Sequence, residues 1–295
     1  MATVILLTVT GLGLGALYFL IASGLSLIFG LMDVLNFAHG ALLAVGAYAT
    51  WWAASGHLPG AGSGGFGFVL AVAFGTAVGT AAAALLELAL IRPLYARPRE
   101  QVLATVGVGL AVPALLSAIW GADARPFPTP KALSGTFGLL GARIPVNRLV
   151  LAAAALVVLV ALKAFLRRTR YGLIVRAGVE DRAMVTALGI DVRKAFTLVF
   201  ALGGAAAALG GALGGVYFGS VDPGQGTSLL IFAFVVVVMG GMGSLTGAAL
   251  ASVAVGLVQQ FANYYTTAGL GDLSVVVLLA ALLLLRPSGL TGRLA

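Results

Sequence analysis

The chain has 295 residues, 61% of them hydrophobic and 9% charged, with 17 Lys and Arg against 9 Asp and Glu. A water-soluble domain carries about a quarter charged residues, so the composition excludes that class and points to a polytopic α-helical membrane protein. The net charge of +8 follows loop position, as in membrane proteins, and is not read as a nucleic-acid footprint. No cysteine occurs, which excludes a disulfide framework and thiolate metal sites. The apolar runs are continuous, unlike the alternating strands of a membrane β-barrel.

Spans are predicted at 4–29, 38–54, 66–91, 101–120, 148–166, 196–217, 229–242, 247–264 and 273–286, an all-α transmembrane bundle of about 8–10 helices. The first span follows no basic stretch, since no Lys or Arg precedes Arg92. A cleaved secretory signal starts basic, so this span is read as permanent. Gly11 and Gly15 make a small-xxx-small pair in it, as do Gly75 and Gly79, and Gly210 and Gly214, further on. Such pairs let helix backbones approach in lipid. After the first span comes the polar cluster Asp33-Val-Leu-Asn36-Phe-Ala-His39-Gly40. Asn36 is placed to cap the following helix or to line a path. His39 is read as a buried, hydrogen-bonded imidazole; His57 is the only other histidine, too few partners for a metal site.

Arg92, Arg97 and Arg99 open the first basic linker. The loop 121–147 holds Pro126, Pro128, Pro130 and Pro145, and within it 136–144 (TFGLLGARI) reads as a small hairpin. Eight of the 17 basic residues then fall between Lys163 and Lys194. Inside that segment Arg176 and Glu180 are four apart, Val179, Ala183 and Ala187 share one helical face, and Gly189 is placed as the stop. Two readings stay open: a helix docking in a partner's groove, or one resting on the inner leaflet.

Phe29-Gly30-Leu31-Met32-Asp33 resembles Phe218-Gly219-Ser220-Val221-Asp222, a faint repeat of the kind that transporters use in inverted form. The segments 229–242 and 247–264 meet at the Gly-rich Gly240–Gly247, as two thin spans or one re-entrant pair. Gln259 or Gln260 shares a face with Asn263, either lining a path for a zwitterion or bonding between helices. Arg286 and Arg293 follow the last span. The linkers 92–100 and 167–195 with their flanks and the C-terminus hold 13 of the 17 basic residues, so they are assigned to the cytoplasm and the N-terminus outside.

None of the three lysines follows a glycine, so the chain has no phosphate loop and is not itself an ATPase. It has no GxSxG elbow and no HExxH motif. The nine acids lie mainly in loops or at span ends, which gives little footing to ion coupling.

The run Gly11 to Tyr48, with its Asn36–Gly40 core (NFAHG), resembles the LivH-type permease of bacterial branched-chain amino acid ABC importers. The resemblance resumes over Arg176 to Gly211, Val221-Asp222-Pro223 and Met239 to Leu257, and is weakest in 121–147. It implies an ABC importer permease fold: one transmembrane domain, 1–295, with a cytoplasmic coupling loop at 167–195 and an outward loop at 121–147. It also implies the inner (plasma) membrane of a bacterium, a LivM-like second permease, two cytoplasmic ABC ATPases that bind ATP and Mg, and an external solute-binding protein. No cofactor or metal is expected in this chain. Arg176, Val179, Glu180, Ala183, Ala187 and Gly189 would then belong to the segment that docks on an ATPase, and Asn36, His39, Gln259 and Asn263 to the path or its gate. The segment departs from the EAA---G pattern of many ABC importers, with Glu180 nine residues before Gly189 instead of six. A urea or short-amide permease of the same family, an ion-coupled secondary transporter and a structural membrane subunit stay open as other readings.

Overall fold

The computed structural model describes every residue except 140, 181–183, 186–190, 268 and 292–295. The apolar runs form α1 (Ala2–Met32), α2 (His39–Trp52), α3 (Gly65–Leu86) and α4 (Pro98–Trp120). A short α5 (Lys131–Ser134) precedes α6 (Val146–Arg168), α7 (Arg170–Glu180) and α8 (Val192–Phe218). The chain ends in α9 (Gln225–Gly240), α10 (Leu245–Tyr265) and α11 (Leu270–Leu285). Six of the described helices are long and apolar enough to cross a bilayer, and α9 and α11 are shorter apolar helices of 16 residues each. The protein is a multi-pass helical membrane protein, and the predicted spans each coincide with one helix.

Helices that are apolar all round belong inside a bundle, and α1 and α8 take that place. Leu17, Leu20, Ile21, Phe200 and Ala207 are wholly buried. By contrast α4 and α6 expose most of their apolar length, the mark of a lipid or partner face. The glycine pairs seat the helices. A Cβ on Gly15 would lie 2.6 Å from the Ser252 carbonyl oxygen, so only glycine lets α10 approach α1 so closely.

The two ends of the bundle differ in chemistry. At one end β2 (Thr136–Leu139) and β3 (Ala142–Pro145) form the expected antiparallel hairpin, with Thr136 opposite Pro145. There β1 (Arg125–Pro126) also pairs with β4 (Ser220–Val221), and Trp51 Nε1 donates to the Pro126 carbonyl at 3.1 Å. The start of α1 lies at this end, with Ala2 beside Gly141. The other end carries the basic linkers and the last described residues, where Thr291 Oγ1 donates to the Gly240 carbonyl at 2.8 Å. The first and last described residues therefore sit at opposite ends, as an odd number of crossings requires.

Two helices start inside the bundle. α1 ends at the basic end with Asp33 in the left-handed region (φ 55), its N–H bonded to the Phe29 carbonyl. The chain then turns back, and His39 at the start of α2 reaches the carbonyl of Ile21. At 1.5 Å per residue that is about 16 Å back along α1. α8 ends in the same way at the hairpin end, with Gly219 left-handed (φ 71) and bonded to the Gly215 carbonyl. The chain turns back there too, and α9 begins with Gly226 against Gly40. One offset of 186 residues relates Asp33 to Gly219, His39 to Gln225 and Gly40 to Gly226. The two halves are thus an inverted repeat, α1–α2–α3 against α8–α9–α10. The repeat is real, but its register is not the Phe29/Phe218 match read from sequence. That match is three residues out, because the helix ends align Met32 with Phe218.

The repeat also settles the segment 229–264. α9 and α10 are antiparallel helices joined by a turn at 241–244. At about 24 Å α9 is shorter than the roughly 30 Å hydrocarbon layer. The irregular stretch 219–224 covers the rest. Non-helical backbone at membrane depth requires protein around it, and Val221 and Pro223 are buried.

Candidate functional site

The entry to α2 gathers the polar side chains of the first half. Val34, Asn36, Ala38 and His39 are buried at 0–2% exposure, and the Phe37 ring lies 5.2 Å from that of Phe234 on α9. Asn36 does not cap the helix. The N-cap is Ala38, without a side-chain bond, and both amide atoms of Asn36 lack a partner among the described residues. Its backbone carbonyl instead accepts from the His39 N–H at 3.3 Å, a turn that places the amide two residues before the cap position. His39 fits the expected buried imidazole: Nε2 lies 2.9 Å from the Ile21 carbonyl and therefore donates. Its Nδ1 has no partner among the described residues.

The second half repeats this from the opposite end. Gln225 opens α9, and its Oε1 is buried without a partner among the described residues. Gly40 and Gly226 meet backbone to backbone; a Cβ on Gly40 would stand 2.5 Å from the Gly226 carbonyl oxygen. Two helix N-termini, with their positive dipole ends, thus converge deep in the bundle. Unsatisfied Asn36, His39 and Gln225 surround them. Polar atoms at such depth are costly unless they serve a path or a moving contact.

Gln259 and Asn263 bond between helices. Tyr18 donates its hydroxyl to Gln259 Oε1 at 2.7 Å, and Gln259 Nε2 donates to Asp272 Oδ1 at 2.6 Å. The Tyr18 ring stacks on Phe232 at 5.1 Å. Asn263 Oδ1 accepts the Gly271 N–H at 3.1 Å. These contacts tie the hairpin-end turns of α10 and α11 to one another and to the middle of α1. The structure does not join them to Asn36 and His39 in one cluster.

Of the residues expected to dock on an ATPase, Arg176 lies exposed on α7, its Nε bonded to the Gly172 carbonyl at 3.4 Å. Val179 and Glu180 are on the same helix. Ala183, Ala187 and Gly189 lie outside the described residues. Val185, Val192 and Phe196 cluster with Ala177, Met32 and Tyr95, which anchors the segment to the ends of α1 and to the linker after α3.

Sequence reasoning missed two residues. Glu87 is wholly buried at the start of a π-helical turn, Glu87–Ile91, that continues α3. The signal was available, since Glu87 is the one acid well inside a predicted apolar span. Gln225 carried no signal of its own and is found only through the repeat.

The family model described as "Branched-chain amino acid transport system / permease component" matches residues 7–285. The high-affinity branched-chain amino acid transport system permease protein LivH of Escherichia coli K12 is 29% identical over 294 residues, 96% of this chain and 94% of that protein. The corresponding BraD of Pseudomonas aeruginosa is 30% identical over 292 residues, covering 97% and 94%. A probable LivH of Methanocaldococcus jannaschii is 27% identical over 295 residues, covering 92% and 88%. No solved structure matches the chain. With every membrane helix but the first turn of α1 inside the matched range, the chain belongs to the family of permease components of branched-chain amino acid transport systems.

Proposed function

We propose that the chain is one of two permease subunits of an ATP-driven importer that takes up branched-chain amino acids. The observation that carries the reading is the family match over 7–285, supported by relatives whose names specify that transport system. The second subunit is a LivM-like permease, two cytoplasmic ATPases bind ATP and Mg, and a solute-binding protein delivers cargo outside. The basic end faces the cytoplasm of a bacterial cell, in line with its excess of Lys and Arg. Residues 167–195 form the coupling loop, with Arg176, Val179, Glu180, Ala183, Ala187 and Gly189 at the ATPase, and 121–147 faces the binding protein.

The gate is the convergence of α2 and α9. In the closed state Gly40 and Gly226 touch, and Asn36 and His39 are sealed. When the halves part, the positive helix starts and the Asn36 amide meet the carboxylate of a passing amino acid, a favourable partner for a helix N-terminus. Gln259 and Asn263 brace the outer side of the path.

Reconstitution tests this. Proteoliposomes with both permeases, the ATPases and the binding protein should accumulate radiolabelled leucine only with ATP inside the ATPase-facing compartment. The chain alone should accumulate none in a proton or sodium gradient. Gradient-driven leucine uptake by the purified chain would make it a secondary transporter.

A further inference from the structure

We infer that the polar cluster built on Glu87 is the joint through which movement of the coupling segment reaches the core of the bundle. The inference rests on the ATP-driven reading above. Thr197 and Glu87 would be positioning residues, acting through the helices they hold and touching no cargo.

The geometry is a closed ring of contacts. Tyr95 donates its hydroxyl to Glu87 Oε1 at 2.6 Å, and Thr197 donates to Glu87 Oε2 at 2.8 Å. Arg92 Nε lies 3.4 Å from Glu87 Oε1, and Arg92 Nη2 donates to Thr197 Oγ1 at 2.5 Å. Three of the four residues come from the stretch that closes α3, a π turn at Glu87–Ile91 followed by a 3₁₀ turn at Arg92–Leu94. The fourth, Thr197, stands on α8, which starts at Val192 as the chain leaves the coupling segment.

The cluster is joined to that segment on one side. The Tyr95 ring sits edge-on to Phe196 at 6.1 Å, and Phe196 packs with Val185 and Val192. On the other side it is joined to the gate. Gly204 of α8 packs on Ala83 of α3, and Gly79 of α3 on Ala208. Both helices also hold α2: Gly75 lies against Thr50 and Gly46, and Gly211 against the Leu43 carbonyl. α2 begins with His39 and Gly40, and Asn36 lies in the turn just before it. A push on the segment therefore passes through the ring into α3 and α8 together, and from them to one of the two inset helix starts.

The chemistry suits a joint better than simple adhesion. An apolar contact here would let the two helix ends slide. A buried carboxyl bound from three directions fixes their relative orientation, and its hydrogen bonds strengthen in a low-dielectric setting. π turns inside α-helices recur at functional sites.

The test uses the whole transporter in proteoliposomes, reading radiolabelled leucine uptake and ATP hydrolysis on the same vesicles. Thr197→Val removes the hydroxyl and cuts the ring between α3 and α8. The variant should assemble and hydrolyse ATP, while leucine moved per ATP falls about tenfold, the scale of losing a hydrogen bond to a charged group. Thr197→Ser, which keeps the hydroxyl, should restore the ratio. Where Thr197→Val does not assemble, Tyr95→Phe removes one bond from the same ring and should lower the same ratio. A working wild type with an unchanged ratio in the assembled variant overturns the joint alone, whatever the change in yield or melting temperature. A wild type without ATP-driven leucine uptake overturns the importer reading and the joint with it.

Discussion

Gly40→Ala puts the proposed gate contact under the most direct strain. The added Cβ would stand 2.5 Å from the Gly226 carbonyl oxygen, 2.9 Å from its carbon and 3.2 Å from Leu230 Cβ. Ordinary contact begins near 3.4 Å, so the two helix starts must separate by about 1 Å. The nearest obstacle is backbone, which no rotamer change moves aside. Overpacking of this kind costs about 1–3 kcal/mol. Alanine in place of glycine in a helix returns about 0.5–1 kcal/mol, less at a first turn, so the net loss is about 1–2 kcal/mol. The purified complex should unfold at lower temperature, and Gly226→Ala should behave alike. Once Gly40→Ala has parted the helices, the second Cβ finds room, so the double variant should lose less than the sum. Gly107→Ala on α4, whose Cβ would meet nothing within 4 Å, is the control and should lose no stability. Additive losses in the double variant, or an unaffected Gly40→Ala, would refute the reciprocal contact and with it the gate.

Gln259→Leu leaves the buried Tyr18 hydroxyl and the Asp272 carboxyl without their shared partner. It should cost about 1–3 kcal/mol in thermal unfolding, more than Tyr18→Phe, which removes donor and burial demand together. The chain has no cysteine of its own, so Gly178→Cys and Thr129→Cys can be labelled singly in intact cells. An impermeant thiol reagent should reach position 129 and not 178, and the reverse result inverts the orientation. Ala183→Trp, argued from helical spacing alone, should reduce co-purification with the ATPases about 5- to 150-fold, the equivalent of 1–3 kcal/mol of overpacking. Ala132→Trp in the opposite loop should leave it unchanged.

The helices were legible because lipid leaves few choices. A run such as Val146–Arg168, apolar along its length, satisfies its backbone only as a helix. The hairpin at 136–145 was legible from its turn residues. The meeting of α2 and α9 was only half legible. Asn36 and His39 stood out as polar groups at the edge of a span, yet the cap expected for Asn36 did not form. Sequence spacing does not say that the chain reverses into the bundle before α2 begins. The repeat was misread by three residues for a related reason. Similar letters, Phe29-Gly30 and Phe218-Gly219, lie on different turns, whereas the matching turns are Asn36-Phe37-Ala38-His39-Gly40 and Asp222-Pro223-Gly224-Gln225-Gly226. Only the glycine is identical, because only there do two backbones touch.

Glu87 and Gln259 brace their helices with different chemistry. Each sits just beyond the contacts that seat the third helix of its half: Glu87 beyond Gly79 and Ala83 on α8, Gln259 beyond Gly256 on α1. Each then links that helix to the first helix of a half and to the segment that follows. Glu87 reaches Thr197 and Arg92; Gln259 reaches Tyr18 and Asp272. At the basic end the following segment offers a guanidinium and a hydroxyl, donors that a carboxyl can accept. At the hairpin end it offers Asp272, and an acid at position 259 would bring two carboxyls to hydrogen-bonding distance, where both cannot ionise. An amide accepts from Tyr18 and donates to Asp272 at once. The two braces are analogous but not repeat-related, since the offset of 186 pairs Thr197 with Gly11 and Tyr18 with Gly204; in each the side chain suits the charge of its neighbours. Both clusters hold helices that pack beside the proposed gate, one with a carboxyl and one with an amide, because the donors and acceptors offered to each differ.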